Sequence, residues 1–160
     1  MKIAEVDSAQ FRQLLGRFTT GVVVVTVRAP DGHPMGMTAN SLASVSLVPP
    51  LISIAIDKSA RIHPVVIEAE TFALSILSAG QEALSRRFAD PHDDRFDGIG
   101  YQLSPRQNVL LDGALAHIEC ERQAQFDAGD HTILLGRVIA GEAHGGRPLT
   151  YFRGGYAALA

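Results

Sequence analysis

The chain has 160 residues, of which 46% are hydrophobic and 19% charged, and its formal net charge is −3. That length supports one good core and is short for two, so a single domain over residues 1–160 is expected. The mild acidity lacks the basic excess of a nucleic-acid binder, and no apolar run approaches the length of a membrane span, so neither nucleic acid nor membrane is expected as a partner.

The opening segment MKIAEVDSAQ lacks the apolar core of a signal peptide. Ser8 suits an N-cap, and Phe11, Leu14, Leu15 and Phe18 then recur at helical spacing. This predicts a helix over about residues 8–17. GVVVVTVRA follows as a β-branched strand, and Asp-Gly in PDGHP signals a turn. MGMTANSLASVSL reads as a second extended segment, rich in small polar residues and paired with the first as a hairpin. PPLISIAID is a third strand, with Pro49 and Pro50 marking the break before it. In KSARIHPVVIEAE, Pro64 fits the first turn of a short helix starting near Ile62 or His63.

TFALSIL alternates as a strand, and SAGQEALSRRFAD places Ala83, Leu84 and Phe88 on one helical face. PHDDRFDGIGY is a polar loop. GALAHIECERQAQF and HTILLGRVIAGEAH are two long extended runs, joined by a link too short for a crossover helix, so they pair as an antiparallel hairpin. The fold class expected is mainly β: about six antiparallel strands closing, or nearly closing, into a barrel, with two or three short helices.

Cys120 is the single cysteine, which excludes an intrachain disulfide and fits a cytoplasmic setting. Its place in the alternating run AHIECER makes it a buried structural thiol. The six histidines form no His-x-His or HExxH pair, so no metal site is expected; His92, Asp93, Asp94 and Asp97 read as a solvated loop. There is no G-x-S-x-G, no P-loop and no G-x-G-x-x-G after a strand.

What remains is a set of small polar and cationic residues at strand ends. Thr38, Asn40 and Ser41 in MTANSL leave an extended backbone open to a flat heterocycle. Lys58, Ser59 and Arg61 sit where a strand ends and a helix begins, a combination suited to an anion. Gly129 permits a tight turn and Asp130 can cap it, which leaves His131 at a strand edge. There it is either a half-exposed turn residue or a ligand contact.

Taken together, FRQLLGRFTTGVVVVT, GMTANSLASVSLVPPLISIAI, DKSARIHPVV, FALSILSAGQEALSRRFA, RFDGIGY, GDHTILLGRV and PLTYFRGGY resemble, in order and over nearly the whole chain, the flavin reductase-like family. These are the reductase components of two-component flavin-dependent monooxygenases. The resemblance implies a split β-barrel, usually a homodimer, that binds FMN or FAD and takes hydride from NADH or NADPH. It would pass reduced flavin to a separate oxygenase.

By the same resemblance Thr38, Ala39, Asn40 and Ser41 line the isoalloxazine ring, and Asp57, Lys58, Ser59 and Arg61 approach the ribityl chain and phosphate. Arg87, Phe88, Ala89 and Arg95 lie near the phosphate or an adenylate tail. His131, the one catalytic candidate, and Tyr156 lie on the nicotinamide side. A flavin carrier without turnover is the alternative, and an oxidase of the pyridoxamine-phosphate type on the same barrel is a third reading.

Overall fold

The computed structural model describes residues 5–91 and 95–159. In chain order the strands are β1 (Thr20–Gly21), β2 (Val23–Arg28), β3 (Pro34–Ala39), β4 (Ala43–Leu47), β5 (Pro50–Asp57), β6 (Thr71–Ile76), β7 (Tyr101–Leu103), β8 (Val109–Leu111), β9 (Ala116–Ala128), β10 (His131–Ala143), β11 (Thr150–Phe152) and β12 (Gly155–Ala157). The helices are α1 (Ser8–Leu15), α2 (His63–Val66) and α3 (Glu82–Ala89). Among the described residues no helix is long and apolar enough to cross a membrane.

Seven strands form one antiparallel sheet in the order β3-β2-β6-β9-β10-β5-β4. The sequence suggests six because MGMTANSLASVSL reads as one strand. It is two: β3 pairs with β2 at one edge of the sheet, and β4 pairs with β5 at the other. Only residues 40–42 separate them. In a flat seven-stranded sheet the edges would stand about 29 Å apart at ~4.8 Å per strand. The chain from Ala39 to Ala43 reaches at most about 14 Å. The sheet therefore curls until its edges approach.

The curl creates an inner core. Val23, Val25 and Val27 of β2, Ile52, Ile54 and Ile56 of β5, Phe72 and Leu74 of β6, Cys120 and Leu134 pack inside it, with Ile62 and Val66 from around α2. Val24 of β2 and Val22 just before it serve a second core on the outer face, packed with Leu77, Phe88, Leu111 and Leu149. Burial on both faces is why residues 22–25 are an unbroken valine run rather than an alternating one. Thr26 on that outer face satisfies its hydroxyl on the Val109 carbonyl (2.7 Å).

Some local readings shift. Asp7, not Ser8, caps α1, its Oδ1 accepting from the Gln10 amide at 2.7 Å. None of the α1 side chains is buried, so the predicted apolar face is exposed in this chain. On α3 the buried side chains are Ser85 and Phe88, while Ala83 faces solvent. Cys120 is fully buried, and burial pushes its thiol up to about 12, so it is held as an inert packing group. Of the PHDDRFD loop, His92, Asp93 and Asp94 lie outside the described residues, and Asp97 is exposed.

Close packing at the sheet centre depends on Gly136 of β10. A Cβ there would meet Phe72 Cζ at 2.8 Å and Cys120 Cβ at 2.9 Å. Gly136→Ala should lower unfolding stability by about 1–3 kcal/mol through overpacking. Urea unfolding checks this, and an unchanged midpoint would mean that Phe72 has room to move.

Candidate functional site

Outside the curled sheet, one groove of about 420 Å³ runs between the end of β3, the outer face of β5, the C-terminal end of α3 and the start of β10. That volume lies within the range of small-molecule sites. Alternation along β5 explains part of its wall. With Ile52, Ile54 and Ile56 facing the inner core, Ala55 and Asp57 face outward into the groove.

Eleven of the fourteen residues singled out in the sequence meet here: Thr38, Ala39, Asn40, Ser41, Asp57, Ser59, Arg61, Phe88, Ala89, Arg95 and His131. Lys58, Arg87 and Tyr156 do not line it. Met37, Ala55, Ala60 and Pro91 complete the wall and were not picked out from sequence. Ala55 was within reach of a period-two argument from Asp57; the others depend on tertiary packing.

Two small residues of TANS are engaged in structure. Thr38 donates its hydroxyl to the Ser85 carbonyl (2.6 Å), tying β3 to α3. Ser41 Oγ accepts from the Ala55 amide (3.0 Å) and donates to the Ala55 carbonyl (3.2 Å). It thus continues by side chain the ladder that β4 makes with β5.

The strand-to-helix turn is self-satisfied in the same way. Asp57 Oδ1 accepts both the Ser59 amide (2.8 Å) and the Ser59 hydroxyl (2.7 Å). Those bonds, hydroxyl first, hold the Asp57 carboxyl below its usual range, with His131 and His63 adding to the effect. The amides of Ala60 and His63 bond within the turn, and α2 is a single turn. With its one proton on Asp57, the Ser59 hydroxyl offers the groove lone pairs.

Positive charge on the groove therefore comes from two guanidinium groups. Arg95 donates Nη1–H to the Gly36 carbonyl (2.8 Å), and its buried Nε has no hydrogen-bond partner among the described residues. Burial lowers its pKa, the neighbouring Arg61 charge adds to that, and Asp90 opposes it. A guanidinium stays charged through such shifts. A half-buried cation with an unsatisfied N–H, beside a second cation, fits an anionic group such as a phosphate. Arg87 supports Arg95 from behind, donating to the Arg95 carbonyl (2.7 Å) and the Asp97 carbonyl (2.6 Å).

His131 begins β10 and pairs in register with Asp57. Its Nδ1–H donates to Asp130 Oδ1 (2.7 Å), so Asp130 bonds the imidazole through its side chain. In the neutral ring that leaves Nε2 as an acceptor. Tyr156 bonds Ser85 Oγ through its hydroxyl (2.7 Å), and the Arg86 guanidinium lies 4.8 Å from its ring centre. It lines an adjoining pocket that shares Thr38, Ala39, Asn40 and Ala89 with the main groove.

Comparison with known proteins gives the chain and its fold a lineage. The family model described as flavin reductase like domain matches residues 15–160. The NADH-dependent FMN reductase SmoA of Agrobacterium fabrum is 45% identical over 150 residues, 94% of this chain and 85% of its own. The reductase subunit HsaB of a flavin-dependent monooxygenase from Rhodococcus jostii is 36% identical over 155 residues, 96% of this chain and 79% of its own. The solved structure of the NADH:FAD oxidoreductase of Streptomyces globisporus, in complex with NAD and FAD fragments, superposes with a TM-score of 0.91. It shares 41% sequence identity and covers 98% of each chain. The fold is thus the one seen in that oxidoreductase, and the chain belongs to the flavin reductase like domain family.

Proposed function

We propose that the chain is an NAD(P)H-dependent flavin reductase that binds FMN or FAD in the groove and supplies reduced flavin to a separate oxygenase component. The observation that carries this reading is a single groove joining the 37–41 backbone, the two guanidinium groups and His131. When bound, the flavin supplies the electron-accepting ring and the reduced nicotinamide supplies the hydride, so no side-chain nucleophile is required.

The chain's own residues bind and orient. The backbone of residues 38–41, with small side chains, lets a planar ring approach closely. Arg61 and Arg95 hold the phosphate end, and Asp57 has its Oδ1 turned to the two Ser59 donors. His131 fixes the nicotinamide, its Nε2 accepting from the carboxamide, and so acts by positioning rather than by moving a proton. Phe88 and Ala89 exclude water from one side.

The same reading includes a closed split barrel, with edges joined through Ser41, working as one domain in the cytoplasm, where Cys120 stays reduced. It also includes a homodimer. Phe11, Leu14, Leu15 and Phe18 are 52–73% exposed, and Leu47 and Val48 are 92% exposed. Such apolar surface marks an interface. Asn40 belongs both to the flavin groove and to the hollow lined by Phe11, Leu15 and Phe18, so a second copy seated there walls the site.

Three outcomes follow. Arg61→Ala should weaken FMN and FAD about tenfold or more while riboflavin changes little, since a charge-assisted bond to phosphate contributes roughly 1.5–3 kcal/mol. Fluorescence titration reads this, and equal weakening of riboflavin contradicts a phosphate role. His131→Ala should raise KM for NADH about tenfold, with flavin affinity within about twofold. Flavin binding without any NADH-driven reduction would make the protein a carrier instead. Light scattering should give about twice the 17.1 kDa chain mass; a fully active monomer would contradict the shared site.

A further inference from the structure

Lys58 stands between two groove residues, Asp57 and Ser59, yet its own side chain is elsewhere. Its backbone amide donates to the Asp130 carbonyl (2.9 Å). Its ammonium donates to the Gly129 carbonyl (2.7 Å) and pairs with the Asp127 carboxylate. All three partners belong to one object, the tight end of the β9–β10 hairpin. Its loop is only Gly129 and Asp130, with Gly129 at φ 63° as a two-residue turn with glycine at its first central position requires. His131 follows directly, bonded to Asp130 through Nδ1.

A lone exposed ion pair would hold such a turn only weakly. Lys58 does more, because three contacts from one residue converge on three of four consecutive residues, 127–130. The amide bond extends the β5–β10 ladder one step past the Asp57–His131 pair. The ammonium then caps the carbonyl that points out of the turn. The imidazole's station over the groove is set by the residue before it, and that residue is gripped from the β5 side by Lys58.

We infer that Lys58 is a positioning residue for His131, clamping the hairpin turn, rather than a ligand of the flavin phosphate. The inference rests on the reading of His131 as the nicotinamide contact. Lys58→Met, alone and combined with His131→Ala, tests it against three readouts on the full chain: KM for NADH, affinity for FMN and riboflavin, and hydrogen exchange across residues 126–133. Asp127→Ala, which removes one of the three contacts far from the groove, serves as a second variant.

Lys58→Met should raise KM for NADH about three- to tenfold, leave FMN affinity within about twofold, and speed exchange in the turn. Asp127→Ala should act in the same direction and less strongly. In the His131→Ala background, Lys58→Met should add nothing further to KM. An FMN affinity that falls about tenfold while riboflavin binding holds would overturn the inference in favour of a phosphate contact, as would a KM effect that persists without His131. A silent His131→Ala would overturn the nicotinamide reading itself. Turn exchange then decides the clamp: faster exchange in Lys58→Met upholds it, and unchanged exchange overturns it.

Discussion

Three residues, 40–42, join strands that lie at opposite edges of a seven-stranded sheet, and most of the molecule follows from that constraint. A link so short forces the sheet to curl, and the curl defines an inside filled mainly by apolar side chains. Ser41 secures the crossing by bonding both backbone groups of Ala55, so its hydroxyl replaces a rung of ladder where no strand residue can reach. The groove lies beside this crossing because that is where the backbone leaves one strand before joining the next.

The site is built mostly from groups already satisfied by their neighbours. Thr38, Ser41, Asp57 and Ser59 each spend hydrogen bonds on the protein. The exception is Arg95, a cation drawn partly out of water and left with a buried N–H unmatched among the described residues. Such a group is costly alone and becomes favourable when an anion arrives. Arg87 holds this group in place from behind, through the Arg95 and Asp97 carbonyls.

Local signals were legible in the sequence. The β-branched run of β2, the alternation of β5, the Gly129-Asp130 turn and Pro64 in the first turn of α2 all act within a few residues. What escaped depends on distant partners. TANSLASVSL has no break signal of its own, and it divides because its two halves pair with strands at opposite edges. The face of α1 is apolar by pattern but finds no core among the described residues. Lys58 reads as an anion ligand beside Ser59, and only the fold brings residues 127–130 to it. The eleven residues that do converge come from four separate segments, so their resemblance to a family carried information that spacing alone could not.

Phe88 belongs to two structures at once. Its ring is fully buried in the outer core, against Phe96 at 4.9 Å and under Gly36, where a Cβ would stand 2.8 Å away, and it also lines the groove. That shared membership divides the groove into walls with different evolutionary freedom. The Phe88 side cannot change shape without disturbing the fold, whereas the exposed Ser59 and Arg61 belong to neither core and can be substituted without disturbing them. Descendants of this scaffold should therefore vary at those two turn positions and keep the aromatic wall as an inheritance.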